Sequence, residues 1–320
     1  MRSGTGDDDT YVSFTCGGLS KQHRHYDNNN FMIYKHGYRC MDTGTRPQPG
    51  LHLPYYYART VAHNCVTVRM QGEKFPRYWS GPSALEPKNL PIPNDGGQRE
   101  LLVSKLLALE ETDDYVYLAS DATGCYHEDK VDLVVREFIW CAPDVFVIFD
   151  RIVSDKPEYA KRWLYHTATE PKMIGKLEFS ETSQGGKAIC RTLYPKDAKI
   201  EKIGGPGRQF WSDGRNWGLP ELIPEDHGYR NRHLIPKEDD PMLGQWRIEV
   251  IPGGERTVDY YMHIIQVGDE GLKALPKTKT FNKSGRLGTS FTYNGKEYNI
   301  DFDISSEKVT HGCKINVITK

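Results

Sequence analysis

Two long apolar stretches joined by a short turn constrain the fold of this chain more than any other feature. Val131 to Trp140 and Val145 to Ile152 are rich in Val, Ile and Phe, and Ala142-Pro143-Asp144 lies between them. Branched and aromatic side chains favour strands, whereas Pro and Asp favour turns. The pattern predicts two long central strands that pair through a tight connection.

Shorter strand-like segments recur along the chain, and Gly and Pro separate them. The predicted strands are Tyr11 to Phe14, Phe31 to Tyr34, Arg39 to Met41, Val66 to Met70, Tyr115 to Ser120, Arg162 to His166, Gln245 to Val250, Val258 to Val267 and Lys314 to Ile318. Asn294-Gly295 is a typical hairpin turn between alternating strands. The sequence therefore predicts an all-β protein, a large antiparallel β-sandwich over residues 1–267 with a small C-terminal β-sheet region over residues 268–320.

The basic segment Lys273 to Arg286 is expected to be a solvated loop. No apolar run reaches transmembrane length, no signal peptide is visible, and the formal net charge is −1. A net charge of this size predicts nothing about partners by itself. Neither a membrane nor a nucleic acid is expected as a partner. From Met1 to Ser80, ten Lys and Arg outnumber six Asp and Glu, which suits an acidic ligand. The seven cysteines are scattered and are expected to be mostly buried thiols, and His166 is expected to be a hydrogen-bonded core residue.

Three short segments carry the residues that indicate chemistry. His23 and His25 are two positions apart, and Asp42 and His63 follow. On an extended strand His23 and His25 would point to the same face. Two histidines and a carboxylate form a complete three-ligand set for a metal such as zinc, with a fourth position open. A His-x-His pair alone is more often two surface or capped histidines, so the spacing leaves both interpretations open.

The surrounding sequence resembles the C-terminal β-domain of heparinase II/III-like polysaccharide lyases. The matching segments are Arg2-Ser3-Gly4, Asp7 to Val12, HRHYDNNNFMIYKHG (His23 to Gly37), Met41-Asp42-Thr43-Gly44 and YYYARTVAHNCVTV (Tyr55 to Val68). The resemblance implies that His23 faces the substrate and that His25, Asp42 and His63 hold a divalent metal, expected to be a structural zinc. Beyond Val68 the match is one of pattern only.

The activity that the resemblance implies is β-elimination of a uronic-acid-containing glycan such as heparin or heparan sulfate. The expected catalytic residues are His23, Tyr55 and Tyr57, and the expected substrate-binding residues are Arg24, Arg46 and Arg59. Three consecutive tyrosines are also commonly strand packing. Full-length members of the family carry a helical toroid before the β-domain. This sequence opens where the β-domain would begin, so the toroid is expected to be a missing partner and the chain incomplete for catalysis. A periplasmic or secreted location follows from the resemblance alone.

Two other functions stay open at this point. A cupin-type metal enzyme also uses a His-x-His strand, but it needs a Glu after the second histidine, where this chain has Asp27-Asn28-Asn29-Asn30. A non-catalytic glycan-binding or structural β-module fits the absence of the toroid.

Overall fold

A computed structural model describes residues 1–18, 20, 23–44, 52–77, 90–218 and 240–319. The predicted substrate contact Arg46 lies outside the described residues, as does the first half, residues 82–89, of the proline-rich segment from Pro82 to Gly97. Within the described ranges, no helix is long and apolar enough to cross a membrane.

Antiparallel strands make up nearly all of the regular secondary structure among the described residues, and the prediction of an all-β fold is confirmed. In chain order they are β1 Tyr11–Phe14, β2 Phe31–Tyr34, β3 Tyr38–Cys40, β4 Val66–Arg69, β5 Lys105–Glu111, β6 Tyr115–Asp121, β7 Val131–Cys141, β8 Val145–Ser154, β9 Ala160–Thr167, β10 Lys172–Gly175, β11 Glu178–Ser183, β12 Gly186–Tyr194, β13 Lys199–Gly204, β14 Trp211–Ser212, β15 Arg215–Asn216, β16 Trp246–Ile251, β17 Val258–Asp269, β18 Lys279–Lys283, β19 Arg286–Tyr293, β20 Lys296–Asp303 and β21 Lys314–Thr319. Short helical turns occupy Leu53–Tyr57, Thr60–Ala62, Thr123–Cys125 and Pro241–Leu243.

The largest sheet has eight strands in the order β10-β11-β12-β17-β8-β7-β6-β5. The predicted central strands, β7 and β8, pair through the turn at Ala142 to Asp144, and the register runs from Val131 opposite Ser154 to Cys141 opposite Val145. Every residue of β8 is buried. A strand buried on both faces loses the polar alternation of a half-exposed strand, which explains the continuous apolar runs in the sequence.

One face of this sheet packs against a four-stranded sheet, β13-β16-β9-β4, and a three-stranded sheet, β1-β2-β3. The core between them is dense in aromatic rings. Phe31 lies 5.8 Å from Phe138 and 6.3 Å from Trp163 between ring centroids. Because residues 23–30 precede β2 and His63 precedes β4, this core fixes the strands that lie next to the predicted ligands His25 and His63.

The opposite face of the eight-stranded sheet is covered by the C-terminal sheet, β18-β19-β20-β21. Phe302 stacks on Phe149 with ring centroids 4.2 Å apart, and Leu287, Phe291 and Ile300 extend the same buried cluster. The eight-stranded sheet is therefore the middle of three layers. The predicted terminal sheet is confirmed, whereas its boundary at residue 268 stays a prediction.

Two local expectations are wrong. The basic segment Lys273 to Arg286 is not all loop, because β18 pairs there with β19. Residues 23–30 are turns and bends without a strand, and His23 has a left-handed φ of 56°. The hairpin prediction is confirmed: Asn294 and Gly295 have φ of 46° and 74°, as the tight turn between twisted strands requires.

Candidate metal and substrate site at the histidine loop

The histidine loop, residues 23–30, places His23 and His25 differently from the prediction. His23 is exposed on a turn, whereas His25 is half-buried. Because the segment is not a strand, the rule that places alternate side chains on one face does not apply. His25 reaches the other predicted ligands through the path of the loop.

His25 lies between His63 and Tyr57. Its ring centroid is 5.2 Å from that of His63 and 4.6 Å from that of Tyr57, which it meets edge to face. His63 is fully buried at the end of the short helical turn Thr60–Ala62. Tyr57 is half-buried at the end of the turn Leu53–Tyr57. Two of the three predicted ligands and one predicted catalytic tyrosine are therefore neighbours.

Asp42 completes the group from the end of β3. Its Oδ1 lies 3.0 Å from His63 Nδ1, and its side chain is 26% exposed. Burial alone would raise the pKa of Asp42, but the His63 ring and a 2.8 Å hydrogen bond from Asn30 Nδ2 outweigh it and hold the pKa below its usual value. Burial would likewise lower the pKa of His63, but Asp42 raises it. The two groups favour each other's charged forms.

A further carboxylate, Asp27, lies at the same place and received no role from the sequence. Burial raises its pKa to about 6, and nearby Asp42 acts in the same direction. Its Oδ1 is buried and has no hydrogen-bond partner among the described residues. Its position two residues after His25 was the available signal.

The two loops that carry His25 and His63 are tied together by backbone and hydroxyl contacts. Tyr26 N donates to Ala58 O at 2.9 Å, and Thr60 Oγ1 donates to Tyr26 O at 2.8 Å. Gln98 N donates to Thr60 Oγ1 at 2.7 Å, and the Gln98 amide exchanges two hydrogen bonds with the backbone of Asn28. His25 and His63 thus sit on segments with a fixed mutual position.

The other predicted catalytic and substrate-binding residues make contacts within the protein. Tyr55 is 1% exposed and stacks on Trp217 with an interplanar angle of 3°. Arg59 is fully buried, and its Nη2 donates to Asp95 Oδ1 at 2.8 Å. The catalytic role of Tyr55 and the substrate contact of Arg59 stay predictions, and these buried positions do not favour them. Arg24 is half-buried and its Nη2 donates to the Gly17 carbonyl.

His25, Asp42 and His63 have separations close to those of residues that share a metal ion. Zinc with bonds of about 2.0–2.1 Å would place two imidazole centroids about 5 Å apart and two ligand atoms about 3.3 Å apart, close to the 5.2 Å and 3.0 Å found here. Neither nitrogen of His63 has a hydrogen-bond partner of acceptable geometry in the described structure, although both are buried. These features fit shared ligation. Across the described ranges, however, no group of three or more His, Cys, Asp and Glu side chains stands ready to hold an ion, so the metal stays a prediction.

The cysteines near the site are packing residues. Cys40 and Cys65 are buried, and burial raises the pKa of both thiols well above the usual value. His166 is also buried, and its Nε2 lies 2.9 Å from Val61 O. Both the buried thiols and the core role of His166 were predicted from the sequence and are confirmed.

Fold and site together define a large antiparallel β-sandwich domain with a partly buried histidine and carboxylate cluster beside its strand ends. Residues 1–211 match the family model described as "Heparinase II/III-like, C-terminal". Because the match covers more than half of the chain, this protein belongs to that family. A comparison with curated protein sequences found no match.

Solved structures support the same fold. A heparinase III, the BT4657 gene product, is 15% identical over 94% of this chain and 40% of its own, with a TM-score of 0.61. The heparan sulfate lyase HepC from Pedobacter heparinus is 13% identical over 99% of this chain and 40% of its own, with a TM-score of 0.59. This chain therefore spans about 40% of the length of either structure.

Proposed function

We propose that this chain is the β-domain portion of a polysaccharide lyase that acts on a uronic-acid-containing glycan such as heparin or heparan sulfate. The observation that carries the proposal is the convergence of His25, Asp42, His63 and Tyr57 in a chain of the heparinase II/III-like family. The whole enzyme's activity is proposed for a longer assembly, since the solved relatives are longer than this chain. A periplasmic or secreted location is proposed on the resemblance alone.

The reaction is a β-elimination next to a uronate. A base removes the proton on C5, a C4–C5 double bond forms, the C4–O4 bond breaks, and an acid protonates the departing O4. The uronate carboxylate must be neutralised so that the C5 proton becomes acidic. The site must therefore supply a positive or hydrogen-bonding group at the carboxylate and a group that moves a proton.

His23 and Tyr57 are the residues proposed for these tasks. The exposed imidazole of His23 is accessible to a substrate carboxylate and can donate to it. The half-buried Tyr57 is in edge-to-face contact with the ring of His25, and its phenol is the proposed proton-moving group of this domain. Arg24 adds positive charge beside His23.

The ion, proposed to be zinc, would bind His25, Asp42 and His63 and hold three chain segments in one geometry when present. Its proposed role is structural, because its ligands are interleaved with the segment that carries Tyr57. The segments that the ion holds would orient His23 and Tyr57. His23 would then bind the uronate carboxylate, and Tyr57 would move the proton.

The metal proposal is tested by elemental analysis of the purified chain after zinc repletion and dialysis. We expect close to one zinc per chain, lost in His25→Ala and in His63→Ala. His36→Ala, which removes a half-buried histidine on the turn between β2 and β3, is the matched control and should retain the metal. An intact chain that takes up no zinc would refute the site, and full binding in both ligand variants would place it elsewhere.

The lyase proposal is tested by the ultraviolet absorbance of the unsaturated uronate product, with heparin, heparan sulfate and alginate as substrates. We expect the isolated chain to fold and bind one of these glycans with little or no turnover, because groups that act as a unit lose several powers of ten when part of the set is absent. Turnover that His23→Ala or Tyr57→Phe abolishes, but Tyr34→Phe does not, would show that the domain is catalytically sufficient. If the chain neither binds nor cleaves any of the three polymers, the proposed substrate class is refuted.

A further inference from the structure

Asn30, the residue directly before β2, touches two of the segments that carry proposed ligands. Its side-chain Nδ2 donates to Asp42 Oδ1 at 2.8 Å, and its side-chain Oδ1 accepts a hydrogen bond from Asn64 N at 2.8 Å. Asn64 directly follows His63. One amide group therefore connects the carboxylate of Asp42 to the backbone N–H of the residue that follows His63.

Asn64 closes the same connection from the opposite side. Its Nδ2 donates to Phe31 O at 2.9 Å and to Met41 O at 3.0 Å. Phe31 follows Asn30 and Met41 precedes Asp42, so the two asparagines cross-link the same three segments. Asn30 is 1% exposed and Asn64 is fully buried, so water does not compete for these hydrogen bonds.

Arg136 on β7 attaches these three cross-linked segments to the sandwich. Its Nη1 donates to Asn29 O at 2.6 Å and to Asn64 O at 2.5 Å. Its Nε and Nη2 donate to the two carboxylate oxygens of Asp150 at 2.7 and 3.1 Å. The buried guanidinium thus holds both asparagine segments against the rigid middle sheet.

We propose that Asn30 is a positioning residue that sets the separation and orientation of Asp42 and His63. This inference rests on the proposed metal role of His25, Asp42 and His63 and deepens it. An amide is suited to the task because it presents a donor to the carboxylate and an acceptor to the backbone N–H at once. Alanine offers neither, and it leaves the carboxylate free to rotate away from His63. Partners of this kind, which bind a ligand rather than the ion, typically change metal affinity by about 10–100-fold when they are removed.

The test compares Asn30→Ala with Asn29→Gly in the full chain. Asn29 is a neighbouring buried asparagine whose Nδ2 donates to Ser120 O at 3.1 Å, away from the proposed ligands. Its φ of 67° suits glycine. The zinc dissociation constant is measured by competition with a chromophoric chelator, and stability is followed by urea unfolding of the zinc-free protein. We expect Asn30→Ala to bind zinc about 10–100-fold more weakly than the wild type. Asn29→Gly should bind zinc within a few-fold of the wild type, although its free energy of unfolding falls by an amount comparable to that of Asn30→Ala.

Wild-type affinity in Asn30→Ala would overturn the proposal. Equal weakening in Asn29→Gly would also overturn it, because loosening of the loop would then explain the effect. Crystal structures of zinc-free wild type and Asn30→Ala give a readout that does not need the ion: the 3.0 Å separation of Asp42 Oδ1 and His63 Nδ1 should persist only in the wild type. If the wild type takes up no zinc, the metal part of the proposed function fails, and this separation alone decides the positioning role. An unchanged separation in Asn30→Ala would then refute it.

Discussion

His263 on β17 should cost the protein stability as the pH falls below neutrality. Its side chain is fully buried, and its ring stacks on Trp163 with centroids 3.7 Å apart. Nδ1 lies 3.1 Å from Thr192 Oγ1, and Nε2 has no hydrogen-bond partner in the described structure. Burial, with a further contribution from Arg136, lowers the pKa of His263 well below its usual value. The imidazole is therefore neutral in the folded protein.

The sign and size of the effect follow from proton binding. Below the unfolded pKa of about 6.5, the unfolded chain binds a proton at this position that the folded chain does not, so stability is full above that pH and falls below it. Each pH unit below about 6.5 lowers the free energy of unfolding by about 1.4 kcal/mol, so this residue costs about 2 kcal/mol at pH 5. His166, whose pKa burial lowers to about 3, acts in the same direction with a similar cost. Two such terms are a large share of a total stability of about 5–15 kcal/mol.

Urea unfolding between pH 7.5 and pH 5 measures this cost. His263→Phe keeps a ring against Trp163 and removes the titrating group, so its stability should fall by about 2 kcal/mol less over this range than that of the wild type. His311→Gln, which removes an exposed histidine, is the control for the number of imidazoles and should follow the wild type. If His263→Phe follows the wild-type pH dependence, His263 is charged when folded and the reasoning is wrong.

Three further changes test contacts that hold the layers and turns of the fold. Arg136→Ala leaves Asp150 buried without its cation, and urea unfolding should show a loss of about 3–5 kcal/mol. Phe302→Ala removes the ring stacked on Phe149 between the middle sheet and the C-terminal sheet, and should cost about 3–5 kcal/mol by the same assay. Gly295→Ala strains a turn residue with φ of 74° without meeting a neighbouring atom; its loss should be about 1 kcal/mol, well below that of the two core variants.

The strands that were predicted well are those whose sequence carries a strong local signal. β7 and β8 are long apolar runs with a turn between them, and Asn294-Gly295 specifies a tight hairpin by its backbone preference alone. β5, by contrast, was not predicted. It is an edge strand whose residues, Lys105–Glu111, are mostly exposed, so no buried face imposes a period on it. β18 was missed for a related reason, since its five residues, Lys279–Lys283, are all at least partly exposed.

The sequence named residues that lie together in the candidate site, but it did not give their spatial arrangement. The expectation that His23 and His25 share one face of a strand is wrong, yet His25 still lies beside His63. The contacts of Asn30 and Asp27 could not be derived from the sequence, because they depend on how three distant segments meet. The burial of Arg59 against Asp95 could not be derived either, since an arginine near a cluster of tyrosines reads equally well as a surface contact.

The reason that Asp42 and His63 lie close together is found in the order of the strands. His25 precedes β2, Asp42 follows β3 and His63 precedes β4. Because β2 and β3 are antiparallel neighbours, the start of β2 and the end of β3 lie at the same end of their sheet. The side chain of Asn64 joins that end to His63, and its backbone oxygen accepts from Arg136 in the middle layer. Strand pairing therefore brings Asp42 and His63 together, and the turns of residues 23–30 then place His25 beside them.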